Sequence, residues 1–375
     1  MSNDGLRVYQ DLGVKPVINA MGFMTVLGGS RPSPQVQAAM THASRYFVGM
    51  EELLKKTGDI IAGILGGEAA LVTPGCAAAL ALSTAACMAG SDSEKIQQLP
   101  DTTGMKSEII IQKSQRYHYD RCLTIFGAKM IEAGNDHTTA NQVEAAITDK
   151  TAAIHYVAPG GGEGVVSLDE VLSIAKAHNV PVIIDAASQV YPLEQMRRYP
   201  EAGVDLVGYG AKYFGACNST GVLCGRRDLV DAAFLHSFIG YETRNTRCVG
   251  RPLKLDRQEV IAVVAALREW FGMDHEARVA EHMQRAQAIE DALSGIPHIT
   301  CEAVSDARTL GNGLRVKLDE GALGKTAGQI SEALLNGDPS IWLSGGSGSI
   351  HISVANLVGD DVQVVSGRLR DLLTA

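Results

Sequence analysis

The runs Pro181-Val-Ile-Ile-Asp185-Ala-Ala187 and Val204-Asp-Leu-Val-Gly-Tyr-Gly-Ala-Lys212 decide how this chain folds. Each is a short apolar strand that ends near a charged side chain, and Lys212 follows Asp185 by 27 residues. Working outward, Ala69-Ala-Leu-Val-Thr73, Glu108-Ile-Ile-Ile-Gln112, Ala152-Ala-Ile-His-Tyr-Val157 and Gly221-Val-Leu-Cys224 repeat the strand pattern, with helical periodicities between them. Ser167-Leu-Asp-Glu170 adds a capping box, Ser at the N-cap and Glu three residues on. Alternating strands and helices predict an α/β fold with a mainly parallel sheet. Asp185 and Lys212 then share its carboxyl edge, where such folds bind ligands.

After Gly250 the pattern changes. Arg257 to Leu293 reads as a long helical stretch with a possible interruption at Gly272, bridging two domains. From Ile299 onward, strands (Gly313–Lys317, Ser349–Ser353) mix with helices (Lys325–Leu335, Asp360–Leu373), which predicts a smaller α+β domain. The expected organisation is therefore residues 1–255, an N-terminal segment and large ligand-binding domain, and 256–375, bridging helix and small C-terminal domain. A chain of 375 residues exceeds the usual size of a single core, which fits two domains.

Composition narrows the function. Hydrophobic residues at 46% and charged residues at 20% describe a globular protein. A net charge of -9 opposes a broad nucleic-acid-binding surface and favours a small-molecule substrate. The most apolar segment, Ala77–Gly90, is shorter than the roughly 20 residues of a bilayer span, so no membrane segment is expected. No signal peptide is read at the N-terminus. The seven cysteines lack close pairs and read as reduced thiols of a cytoplasmic protein.

A lysine amine can form a Schiff base with a cofactor aldehyde, and a carboxylate at a buried strand end can keep a pyridine nitrogen protonated. Lys212 and Asp185 thus predict pyridoxal 5'-phosphate as the cofactor. Thr73-Pro-Gly75-Cys76-Ala77 turns from a strand into an alanine-rich helix, so the N–H groups of Gly75, Cys76 and Ala77 can meet a phosphate. The same turn also reads as a plain glycine turn feeding a packed helix.

Gln112-Lys-Ser-Gln115-Arg116-Tyr117-His118-Tyr119-Asp120 follows another strand and places Gln115 and Tyr119 as cofactor contacts and Arg116 as a substrate contact. His118 reads first as an ordinary surface or core histidine and only second as a catalyst. Ala187 is small enough to pack on the second face of a ring. His155-Tyr-Val-Ala-Pro-Gly160-Gly-Gly-Glu-Gly164 fails the dinucleotide spacing; it reads either as a substrate-facing loop or as an inert connection. Within Tyr241-Glu-Thr-Arg244-Asn-Thr-Arg247-Cys-Val-Gly-Arg251-Pro-Leu-Lys254, Arg244, Arg247 and Arg251 are candidate anion clamps. A solvated basic loop explains that run as well.

Read together, Val17-Ile-Asn-Ala20, Thr25-Val-Leu-Gly-Gly-Ser30, Phe47-Val48, Val72–Ala79, Ile110-Ile-Gln-Lys113, Gly164–Leu168, Val182–Ala187 and Gly250-Arg-Pro-Leu-Lys254 resemble the fold type I pyridoxal phosphate enzymes. The resemblance is to the branch of bacterial L-seryl-tRNA(Sec) selenium transferase and D-glucosaminate-6-phosphate ammonia-lyase, and it spans nearly the whole chain. It implies an aspartate aminotransferase-like large domain, Lys212 as the Schiff-base lysine and general base, Asp185 on the pyridine nitrogen, and a homodimer or higher homo-oligomer. The activity implied is α,β-elimination of a small 3-hydroxy-2-amino acid or amino sugar acid to a 2-keto acid and ammonia.

Racemisation, epimerisation and β-replacement share the first step and remain rival readings, as do a tRNA-dependent transferase and a non-catalytic scaffold. The selenium transferase carries an additional N-terminal region, whereas this sequence enters the catalytic pattern within about its first 20 residues. Cys76 stands where relatives carry a small residue, and Gln115 and His118 fall in a segment that varies among them.

Overall fold

The computed structural model describes residues 4–304 and 312–375, and the chain forms two compact units. The larger is Arg31–Gly272; the smaller joins the segment before Arg31 to the segment after Gly272. Strand β1 (Val17–Asn19) belongs to the smaller unit. The larger unit carries β2 (Ala69–Thr73), β3 (Glu108–Gln112), β4 (Lys129–Ala133), β5 (Thr151–Val157), β6 (Val182–Asp185), β7 (Leu206–Gly210) and β8 (Gly221–Gly225).

These seven strands form one sheet in the order β2-β8-β7-β6-β5-β3-β4. From β7 to β4 the neighbours are parallel, while β8 is antiparallel to both β2 and β7. It follows that β2 runs in the direction of β7. The carboxyl ends of β2, β3, β5, β6 and β7 therefore meet at one edge. Strands β6, β7 and β8 are buried along their whole length, which explains their unbroken apolar runs. Sequence reading did not find β4, whose Lys129 and Glu132 are exposed at the sheet margin; edge strands carry such charges.

The helix Gly75–Ala89 packs on β6, β7 and β8 and is buried nearly all round. Its small side chains permit that depth. A Cβ on Gly208 of β7 would lie 3.0 Å from the Cys76 sulfur, so the strand is glycine where the helix start passes. Ser167 and Glu170 form the expected capping box at the head of the helix Leu168–Ala177.

In the smaller unit, β9 (Ile299–Val304), β10 (Gly313–Leu318), β11 (Ser340–Trp342), β12 (Ser344–Gly346) and β13 (Ser349–Ser353) follow the helix His275–Leu293. Four of them form an antiparallel sheet, β12-β13-β10-β9, covered by helices His275–Leu293, Ala327–Leu335 and Asp361–Thr374. Leu293, Leu314, Val316, Ile330, Ile350, Ile352 and Leu369 fill the core between them, each worth roughly 1.5–3 kcal/mol relative to exposure.

The division differs from the boundary expected at 255/256. The long helical stretch is two helices, Arg257–Gly272 and His275–Leu293, the second capped by Asp274. The first packs on helices Pro34–Ser44 and Met50–Leu65 and stays with the larger unit. The N-terminal segment joins the smaller unit because β1 pairs in parallel with β11, and Ser353 donates its N–H to the Ala20 carbonyl at 2.8 Å. The first three residues, part of the N-terminal stretch read for a signal, lie outside the described residues.

Candidate active site

Asp185 closes β6 and is 8% exposed. Its Oδ1 accepts the Ala187 N–H at 2.9 Å and the Cys76 thiol at 3.6 Å. Its Oδ2 accepts the Tyr117 hydroxyl at 2.5 Å. Burial and the Asp185 charge raise the pKa of Tyr117, so the phenol keeps its proton and can only donate to the carboxylate. Burial raises the Cys76 thiol in the same way, and Asp185 adds to it.

Lys212 lies two residues beyond β7, in the 3₁₀ turn Ala211–Phe214. Its ammonium is 5.1 Å from the centre of the Tyr213 ring, and burial lowers its pKa. The ends of β6 and β7 are tied by the Gly210 N–H, which donates to the Ala187 carbonyl at 3.0 Å. A Cβ on Gly210 would lie 3.2 Å from that oxygen.

At the end of β2, Gly75 adopts φ +82° and opens the helix Gly75–Ala89. Its N-cap, Pro74, provides no side-chain hydrogen bond, so the first-turn N–H groups have no side-chain cap there. The electrostatics of this terminus suit an anion.

The segment after β3 separates into different roles. Gln115 spends both ends of its amide on Val157, donating to the carbonyl at 3.0 Å and accepting from the N–H at 3.3 Å. It fastens the end of β5. Arg116 is bound by Asp120, at 2.5 Å through Nε, and by Glu132. Tyr119 is 63% exposed and meets Tyr117 edge-on, with ring centres 6.2 Å apart.

Tyr117 and His155 were not singled out from the sequence. His155 is fully buried, its ring nearly parallel to Tyr117 at 9°, and its Nε2 is 3.4 Å from the Tyr117 oxygen. A lone histidine inside the apolar run Ala152–Val157 was the available signal.

The structure thus brings together Asp185, Cys76, Ala187 and Tyr117 by direct contact, with Lys212 and Gly75 at the same sheet edge. Of the three arginine candidates between residues 244 and 251, two are engaged in ion pairs elsewhere. Arg244 pairs with Glu51, whose carboxyl that guanidinium and Lys55 pull down to about 2. Arg251 binds Glu242 at 2.6 Å and lies over the Tyr241 ring. Arg247 is exposed.

The family model of the class-V aminotransferases matches residues 72–354. Among curated relatives, the chain is 34% identical to a 5'-C-glycyluridine monooxygenase-decarboxylase of a Streptomyces species, over 97% of this chain and 92% of that one. It is 29% identical to the D-glucosaminate-6-phosphate ammonia lyase of Salmonella typhimurium, over 90% of this chain and 89% of the relative. A solved structure of D-glucosaminate-6-phosphate ammonia-lyase superposes with a TM-score of 0.85 at 26% identity, covering 98% of both chains.

Proposed function

Because this chain belongs to the aminotransferase class-V family, we propose that it is a pyridoxal phosphate-dependent lyase. It acts on a small 3-hydroxy-2-amino acid or amino sugar acid, with D-glucosaminate 6-phosphate as the reference compound. The observation that carries this reading is the end-to-end likeness to the ammonia-lyase structure, at a TM-score of 0.85. The fold is type I, and pyridoxal phosphate is the cofactor.

The residues present fit that cofactor. Asp185 has four acceptor positions and its own chain fills three, which leaves one on Oδ2 for a ring N–H. Gly75 begins a 15-residue helix whose first N–H groups suit the phosphate. Lys212 offers an amine at the same edge. Bound pyridoxal phosphate supplies an electron sink that stabilises negative charge at the substrate Cα.

Burial lowers the Lys212 pKa and so enlarges the neutral fraction able to take the Cα proton. Asp185, oriented by its three donors, would pair with the ring nitrogen. The Gly75–Ala77 turn fixes the phosphate, and an arginine holds the substrate carboxylate. In the overall change the Cα–H and Cβ–O bonds break, and water leaves from Cβ and is returned when the C–N bond is hydrolysed. The products are a 2-keto acid and ammonia. Small substrates, a homo-oligomer and no nucleic acid or membrane complete the reading. Tyr46, Phe47 and Val48, exposed by 72, 93 and 52%, provide an apolar face for a second copy. Seven unpaired cysteines fit a cytoplasmic enzyme. No helix among the described residues is long and apolar enough to cross a membrane.

The 34% identity to a monooxygenase-decarboxylase favours a second reading, in which an amino acid substrate loses carbon dioxide with consumption of dioxygen. One experiment separates the two. The loaded enzyme is incubated with D-glucosaminate 6-phosphate and other hydroxy amino acids, with and without air, and keto acid, ammonia, carbon dioxide and substrate configuration are assayed. Equal keto acid and ammonia without air is the expected result. Carbon dioxide released only in air establishes the second reading, and inversion at Cα alone indicates a racemase or epimerase.

A further inference from the structure

Asp185 is held by its own chain in a way the elimination reading does not require. Oδ1 is fully committed to the Ala187 N–H and the Cys76 thiol, and only Oδ2 has capacity left. The other donor on Oδ2 is the Tyr117 hydroxyl, at 2.5 Å. A carboxylate only accepts, so the single hydroxyl proton of Tyr117 lies toward Asp185 and its oxygen is left as an acceptor. His155 Nε2, 3.4 Å away, can join only by donating.

The state of His155 agrees with that direction. Burial pulls it to about 4, so it carries one ring proton at neutral pH. With that proton on Nε2, Nδ1 is a bare acceptor, and Nδ1 has no hydrogen-bond partner among the described residues. The Ile183 backbone acts on the ring in the direction opposite to burial, raising its pKa. The backbone of Tyr117 is fixed separately: its N–H donates to Asp120 at 3.3 Å, and Asp120 is clamped by Arg116.

We propose that Tyr117 is a positioning residue for Asp185: its hydroxyl, backed by His155 Nε2, fixes Oδ2 as an acceptor and keeps the shared proton on the ring nitrogen of bound pyridoxal phosphate. Donors to a carboxylate stabilise its charged form. Removing one makes Asp185 a better competitor for the shared proton and weakens the electron sink. This rests on Asp185 being the partner of the ring nitrogen.

The test loads the full chain with pyridoxal phosphate labelled with ¹⁵N in the ring and reads the nitrogen chemical shift and the cofactor Kd in wild type, Tyr117→Phe, His155→Leu and Asp185→Asn. Expected are a protonated-ring shift in wild type, an unprotonated one in Asp185→Asn, and a Tyr117→Phe shift displaced toward the latter. Loss of a charge-assisted bond also weakens cofactor binding roughly tenfold in Tyr117→Phe. His155→Leu moves the shift the same way by less and reports independently if Tyr117→Phe fails to fold. A wild-type shift in both Tyr117→Phe and His155→Leu overturns the proposal. If wild type and Asp185→Asn coincide, the assignment of Asp185 to the ring nitrogen has failed instead.

Discussion

A Cβ on Gly221 would lie 2.4 Å from the carbonyl carbon of Gly75 and 2.6 Å from the Cys76 nitrogen. Gly221 opens β8 opposite Thr73 of β2, so the strand beside the turn presses directly on the turn's backbone. The neighbour is main chain and cannot rotate away. Gly221→Ala therefore displaces the Gly75 peptide, at a cost of about 1–3 kcal/mol. We expect a lower Tm and at least a roughly tenfold weaker pyridoxal phosphate titration, since a shifted turn misaims its N–H groups. Wild-type values of both would show that this close approach does not set the turn.

Lys212 is lowered from its ordinary value of 10.5 by burial. As pH rises through that lowered value the amine loses its proton and becomes competent to accept one, so kcat rises with pH and levels off before 10.5. Lys212→Arg keeps the charge but has no neutral form at these pH values. Its rate should fall about 10²–10⁴-fold, the usual contribution of a general base. A pH–kcat profile of wild type with a parallel assay of the variant checks both. A variant of near wild-type rate would remove Lys212 from proton transfer.

His155, His236 and His282 are each pulled to about 4 by burial, against 6.5 when unfolded. Between those two values the unfolded chain binds more protons than the folded one, so stability falls as pH drops from 6.5 toward 4. His236 is fully buried, with Nε2 at 3.0 Å from the Gly90 carbonyl. A full shift for one such group is on the order of 3 kcal/mol. His236→Gln keeps a donor for Gly90 and removes the titration. Thermal melts across this pH range should show a shallower decline in the variant; an identical slope would mean that His236 does not contribute.

What the sequence revealed was local. The alternation of apolar runs with capped helices located the strands of the large sheet, and Asp185 and Lys212 were visible because each follows such a run. The contact between Tyr117 and Asp185 spans 68 residues and depends on β3, β5 and β6 lying side by side, an order no local pattern encodes. The same limit hid the pairing of β1 with β11, which carries the N-terminal segment into the smaller unit. It also hid the commitment of Arg244 to Glu51, 193 residues away. Charged side chains in a basic run look equivalent until their carboxylate partners are known.

Those partners rank the arginine candidates. Arg244 must leave Glu51, and Arg251 must leave Glu242, before either can hold a substrate anion. Arg247 is exposed and has no ion pair among the described residues, so it can engage a substrate carboxylate or phosphate without breaking one. A charge-assisted hydrogen bond is worth about 1.5–3 kcal/mol, or roughly 10–100-fold in binding. We therefore expect Arg247→Ala to raise KM by that factor while kcat and the pyridoxal phosphate Kd stay near wild type. Arg244→Ala, which removes an exposed pair, should leave stability little changed and KM within a few-fold. Steady-state kinetics on Arg247→Ala, Arg244→Ala and Arg251→Ala, each with a cofactor titration, decides the matter. A large KM effect at Arg244 or Arg251 with none at Arg247 would mean that the clamp is a guanidinium that trades its own carboxylate for the substrate's.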